Sequence, residues 1–268
     1  MRLLTSGPSA LLLIASLTLA TPAHAASPEP ATRAAAAQAI TIAVKSDVVL
    51  RGKKVVITGA VKGKKISRVS LQQKRPGSKW KTQATAKVKA NGTYKLKDKT
   101  TKAVTRKYRV VSVTGPKTKS AKVKVGVYEW RDLTKQGVRH RDGWGTSKSA
   151  TINGVPYSPA FIGYQWNGTT TGLIDFNVAR ECIQLRARFG IGDNSDLAGR
   201  ATISVLSDDA PVYSGSFGLT QSEYTTIALG SPFRVGISYT VENTGGSETP
   251  PGAIAVAAQP EILCTSAK

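Results

Sequence analysis

Residues 183–193 read IQLRARFGIGD, and the order of apolar and polar residues in this run decides the fold class. Ile183, Leu185, Ala187 and Phe189 fall on one phase, and Gln184, Arg186 and Arg188 on the other. A period of two belongs to a β-strand, whose successive side chains point to opposite faces; a helix repeats every ~3.6 residues. The alternation recurs at Ile203 and Val205 against Thr202 and Ser204. It recurs again at Phe233, Val235, Ile237, Tyr239 and Val241 against Arg234, Gly236, Ser238 and Thr240. Almost no helical periodicity follows residue 128, so 128–268 is expected to be an antiparallel β-sandwich of jelly-roll type. Gly190 and Gly192 read as the exit from the sheet, and Asp193 as the start of a turn.

Upstream, residues 41–127 also read as short strands. The run at 54–58 is rich in β-branched residues and closed by Gly59, and further runs fall at 69–74, 94–96, 107–113 and 121–125, where valines alternate with lysines in the last. Pro76-Gly77 marks a turn between two of them, and Trp80 starts the next strand. Asn91-Gly92 is a hairpin signal, because both residues tolerate positive φ. The sequence therefore predicts an all-β protein of two antiparallel sandwiches.

Charge divides the two. Residues 41–127 carry 25 basic and two acidic residues, a net of +23, whereas 128–268 carry 11 basic and 13 acidic residues, a net of −2. The shift places a domain boundary between 127 and 128. Residues 1–25 have a basic start, a short apolar run and the small-x-small ending Ala23-His24-Ala25, which is the pattern of a secretory signal peptide. Residues 26–40 are Ala- and Pro-rich and read as a flexible lead-in. The expected location is extracellular, with no transmembrane anchor, since no apolar run approaches the ~20 residues a spanning helix needs. In an exported chain the two cysteines, Cys182 and Cys264, are expected to pair.

Two resemblances follow from particular residues. Leu71-Gln72, Gly77 with Trp80, Asn91-Gly92-Thr93-Tyr94 and Tyr108-Arg109-Val110 resemble the immunoglobulin-like β-sandwich repeats of secreted actinobacterial proteins. That resemblance implies an accessory or spacer module for 41–127. Residues 130–264 resemble the NPCBM/NEW2 carbohydrate-binding modules, which have a galactose-binding-like jelly roll. The matching stretches are TINGVPY at 151–157, IDFNV at 174–178, LRARFGIGD at 185–193, ATISV at 201–205 and DAPVYS at 209–214. The histidine usual in that family after the Asn-Gly turn is missing from YSPAFIGYQW at 157–166.

Candidate chemistry is sparse. His140 sits between Arg139 and Arg141, a poor setting for a base. Asp208 and Asp209 are adjacent, which suits a turn better than two carboxylates flanking one bond. No enzyme is expected. Asp193, Asn194 and Asp196 are candidate oxygen ligands for a structural calcium, with a simple turn as the other reading. For carbohydrate, Tyr164, Gln165, Trp166 and Asn167 place rings and amides side by side, and Trp144 lies between two glycines; Trp144 reads equally as a ligand platform or a lid on the core, and Trp166, ending an apolar run, reads also as structural. The expected partner is a glycan or cell-envelope polysaccharide, with the basic module held to an anionic polymer by charge. Nucleic acid is not expected, because no recognition helix is present and only Trp80 and Tyr94 are placed to stack. The alternative is a structural or protein-interaction module, or an accessory subunit of a secreted enzyme, that has lost sugar binding.

Overall fold

Alternating β-branched and aromatic residues form strands throughout a computed structural model that describes residues 39–63, 65–163, 170–242 and 252–265. The first eight strands are β1 (Ala43–Val44), β2 (Val48–Leu50), β3 (Lys54–Ala60), β4 (Arg68–Lys74), β5 (Lys81–Lys87), β6 (Thr93–Lys99), β7 (Arg106–Ser112) and β8 (Val123–Asp132). Then come β9 (His140–Asp142), β10 (Trp144–Ser147), β11 (Ala150–Ile152), β12 (Val155–Tyr157), β13 (Ala160–Gly163) and β14 (Thr171–Asn177). The last six are β15 (Cys182–Ile191), β16 (Arg200–Ser207), β17 (Ala210–Gly218), β18 (Ser222–Ala228), β19 (Arg234–Glu242) and β20 (Ala255–Cys264). The fold is all-β; among the described residues the helical content is one 3₁₀ turn, Leu133–Lys135.

The N-terminal core lies between sheet β1-β3-β6 and the strands β5-β4-β7-β8, with β2 added parallel to β8. Val55, Ile57, Val69, Leu71, Tyr108 and Val125 fill it. Asp98 ties the two sheets: on β6 it accepts from Tyr108 Oη (2.7 Å) and Arg106 Nη1 (3.1 Å), both on β7. All three side chains are buried, so this is a desolvated ion pair with its own hydrogen bonds.

Two turns test the sequence reading. Arg75 to Ser78 closes a turn by a Ser78 N–H bond to Arg75 O (3.1 Å), with Gly77 at φ 67°, which fits the type II turn that Pro-Gly favours. Asn91-Gly92 does not make a hairpin. It carries the chain from β5 in one sheet to β6 in the other, and its Asn91 Oδ1 accepts from Thr93 N (3.2 Å). The local conformation was legible; the partner of the next strand was not.

The C-terminal core lies between β18-β15-β20 and the sheet β17-β16-β19-β14-β9. Leu185, Ala187 and Phe189 of β15 face Ile203, Val205, Ile237 and Tyr239 across it, as the alternation predicts. Two residues leave the pattern. Ile183 is only half-buried, because a bulge between Cys182 and Gln184 adds one residue on β15 and turns Cys182 inward instead. Phe233 is 52% exposed; it precedes β19, and its N–H donates to Asp208 Oδ1 (2.8 Å). Asp208 and Asp209 form the two-residue turn of hairpin β16–β17, at φ 49° and 68°.

Cys182 and Cys264 are bonded, as expected, and are direct partners across β15 and β20. The strand β8 joins the two cores without a break. Its Val123, Lys124 and Val125 pair with β7, and its Glu129, Trp130, Arg131 and Asp132 pair with β20. The charge boundary at 127/128 therefore falls inside one strand. The composition changes there because the cores change, while the backbone ladder continues.

Candidate functional site

The outward phase of β15 is Gln184, Arg186 and Arg188, and β20, β18 and β8 surround it on one sheet face. Arg186 lies over the Trp130 ring, 4.1 Å from its centroid, and its Nε donates to Glu261 Oε2 at 2.7 Å. Glu261 is its direct partner on β20, so the pleat itself brings the pair together. Arg188 lies 5.3 Å from the Tyr157 ring and 6.0 Å from the Tyr224 ring, and donates to Ser222 Oγ at 3.0 Å. Tyr224 is its direct partner on β18 and is 50% exposed. Arg186 thus sits over one ring with its Nε and Nη2 both 2.7 Å from Glu261 Oε2, and Arg188 sits near two rings with Nη1 on Ser222 Oγ, which leaves further N–H groups for a ligand.

Hairpin β11–β12 covers the other end of this face. Ile152 and Ala150 pack there against Ala160, Val256 and Ala258. Gly190 allows it: a Cβ at that position would meet Ile152 Cγ2 at 3.2 Å and Gln221 O at 2.9 Å. Gly190 is thus a packing residue beneath the hairpin, and β15 continues through Ile191. Asp193 holds the hairpin tip. Its Oδ1 accepts from Asn153 N (2.7 Å) and its Oδ2 from Gly154 N (2.9 Å).

That engagement gives the turn reading of this stretch its geometry. Both Asp193 oxygens serve backbone N–H groups, Asn194 and Asp196 stand exposed, and Ser195 N–H closes a turn onto Gly192 O (2.9 Å). Among the described residues no three His, Cys, Asp or Glu side chains converge on a metal position. Asp193 thus clamps the tip of hairpin β11–β12.

Of its two readings, Trp144 takes the core one. It is 3% exposed and begins β10 in the core, where its Nε1 donates to Ile237 O at 3.0 Å. Tyr239 meets it edge-on at 4.9 Å, and burial pushes the Tyr239 phenol up to about 12. Gly143, at φ 65°, makes the tight entry; its O accepts from Tyr239 Oη at 3.0 Å. The flanking glycines suggested a loop tip, but a Cβ at Gly143 would meet Tyr239 Oη at 2.7 Å. Tyr164, Gln165, Trp166 and Asn167 lie outside the described residues.

The remaining polar candidates are structural. His140 is exposed on β9, and the neighbouring Arg139 grips the buried Asp175 with two nitrogens, Nε to Oδ1 at 2.8 Å. That hydrogen bonding holds the Arg139 guanidinium more firmly protonated. Sequence reasoning put Arg186 and Arg188 on the wet face but missed the rings around them. Trp130, Tyr157 and Tyr224 lie on three separate strands, and only strand pairing gathers them.

No family model matches the chain, and no curated protein matches it. Solved structures give low-scoring matches. One is the structure of CBM51 from Clostridium perfringens GH95 in complex with methyl-galactose, at 8% identity over 50% of this chain and 99% of that one, with a TM-score of 0.38. Another is native alfa-L-rhamnosidase from Aspergillus terreus, at 12% identity over 82% of this chain and 26% of that one, with a TM-score of 0.30. A third is the carbohydrate-binding module CBM36 in complex with calcium and xylotriose, at 10% identity over 50% and 97%, with a TM-score of 0.29. At these scores the likeness says nothing of the site, whose chemistry rests on the contacts above.

Proposed function

We propose that this chain is an exported, non-catalytic carbohydrate-binding protein whose C-terminal half binds a glycan on the outward face of β15, β18 and β20. The observation that carries the reading is the pair Arg186 and Arg188, each set against aromatic rings on one sheet face. A sugar offers adjacent hydroxyls to planar, fixed donors and C–H faces to rings, and this face supplies both. In this reading 130–264 is a module of the NPCBM/NEW2 kind. The N-terminal half is an immunoglobulin-like spacer; the pairing of β1 with β3 in one sheet and β2 with β8 in the other supports that. Its charge holds an anionic cell-envelope polymer. The leader pattern at 1–25 and the Cys182–Cys264 disulfide support export.

A glycan array probed with the wild-type protein and with Trp130→Ala and Tyr224→Ala tests it. The expected result is retention of at least one glycan class and a roughly tenfold loss in each variant, as removal of about 1.4 kcal/mol of contact would give. Wild-type retention that survives both substitutions would move the site elsewhere. The buried position of Trp144 favours the second reading, an interaction module or accessory subunit that has lost sugar binding. It predicts an empty array.

A further inference from the structure

The outward face of strands β4, β7 and β8 carries a row of lysines. Lys74 on β4 pairs directly with Lys107 on β7, and Lys107 pairs directly with Lys124 on β8. Directly opposed side chains on one sheet face stand about 4.5–5.5 Å apart at Cβ, and like charges there destabilise a sheet. Three lysines in one row across three strands therefore work against folding. None of the three has an ion-pair partner among the described residues. Beside the row lies a cleft of about 330 Å³ lined by Lys74, Arg75, Lys107, Lys122, Thr105 and Trp80, with no carboxylate in its lining. Arg109 covers the Trp80 ring at 4.2 Å, and Gln72 Oε1 fixes its Nε at 2.9 Å.

We propose that this cleft is a binding site for an acidic polysaccharide, a linear chain whose sugar residues carry closely spaced anionic oxygens. The site rests on the reading that the basic module holds an anionic polymer, and gives that attraction a place and a register. A chain laid in the cleft meets Lys74 on β4, Lys107 on β7 and Lys122 just before β8, on strands about 4.7–4.9 Å apart. Its charges relieve the repulsion among the lysines, which is the compensating gain that a locally unfavourable arrangement calls for. Trp80 gives the chain an apolar wall, and Arg109 on the ring adds a fixed guanidinium. A single-stranded polynucleotide is disfavoured, because it is held by several bases stacking on successive rings, and this cleft has one ring, shared with Arg109. Carboxylate and phosphate would satisfy the lysines alike, so the test includes both.

Affinity is measured by calorimetry at about 0.15 M salt, where non-specific attraction between exposed charges is screened beyond ~8 Å. The probes are oligogalacturonate, a ribitol-phosphate oligomer and oligo(dT). The variants are Lys74→Gln/Lys107→Gln/Lys122→Gln in the cleft, Lys54→Gln/Lys97→Gln/Lys99→Gln on the outward face of the opposite sheet, and Trp80→Ala. The two triple variants change net charge equally. The expected result is that the cleft triple and Trp80→Ala each weaken one of the sugar oligomers by about tenfold or more, while the opposite-sheet triple stays within about threefold. The cleft triple should also melt no lower than wild type, since it removes repulsion. Equal losses in both triple variants would overturn the site and leave the general charge reading standing. Equal or tighter binding of oligo(dT) would overturn the polysaccharide assignment. Failure of the wild type to bind any of the three would overturn both.

Discussion

Replacing Asp98 by Asn tests the central polar tie of the N-terminal core. Asp98 is one of two carboxylates among residues 41–127, and it is buried. Its partner Arg106 is 1% exposed, and its Nε–H has no hydrogen-bond partner among the described residues. The guanidinium therefore depends on Asp98 for its countercharge, with Lys102 O (3.0 Å) as a neutral acceptor. Removing one member of a buried pair leaves an uncompensated charge and costs about 3–5 kcal/mol. At roughly 2–4 °C per kcal/mol for a chain of this size, the melting temperature should fall by roughly 6–20 °C. Tyr108→Phe, which removes one donor to the same carboxylate, should cost about 1–2 kcal/mol. The double variant Asp98→Leu/Arg106→Met should recover most of the loss, because an apolar pair of similar volume needs no countercharge. Urea unfolding followed by circular dichroism gives these free energies, and with Asp98→Leu and Arg106→Met measured singly it gives the coupling between the two positions. A loss under about 1 kcal/mol for Asp98→Asn, or a coupling near zero, would refute the argument that the pair is desolvated and interdependent.

Four further outcomes are expected. Replacing Cys182 and Cys264 together by Ser reopens a separation of 82 residues, and the chain-entropy relation gives a loss of roughly 4–5 kcal/mol, read as a lower urea midpoint than that of the oxidised protein. Trp144→Ala should cost about 3–5 kcal/mol and Trp144→Phe much less, with glycan retention unchanged in whatever fraction stays folded; loss of retention in a fully folded Trp144→Phe would return that ring to the site. Asp193→Ala removes both acceptors of the hairpin tip and should speed amide exchange at Asn153 and Gly154, which calcium addition should not reverse. Glu129 is held below its ordinary value of 4.5 chiefly by the hydrogen bond from Arg51. Its folded form thus favours the carboxylate, so its contribution is present above that value and is lost as pH falls through the lowered one. The stability difference between wild type and Glu129→Gln should stay constant near neutrality and shrink in acid.

The sequence disclosed strands better than neighbours. Leu185, Ala187 and Phe189 could be placed inside from period alone, because one face of a strand either meets a core or meets water. Ile183 could not, because the bulge beside it is set by pairing with β20, some 80 residues away. Asn91-Gly92 fixed a local turn but not the sheet in which β6 would pair. At the candidate face, Arg186 and Arg188 were on the correct side from the same alternation, whereas Trp130, Tyr157 and Tyr224 come from strands that share no local signal. Trp144 misled because glycines mark close approach as readily as exposure.

The uninterrupted strand β8 has a consequence for how the molecule fails. One edge of β20 is covered along its length by two different strands, β13 at Phe161 and Ile162 and β8 from Glu129 to Asp132. Melting of the N-terminal core withdraws the anchor of β8 and bares unpaired N–H and C=O groups on β20, the kind of edge that templates intermolecular pairing. A chain severed between 127 and 128 would carry the same liability. Protein lost from solution on gentle heating should therefore be found joined through β20.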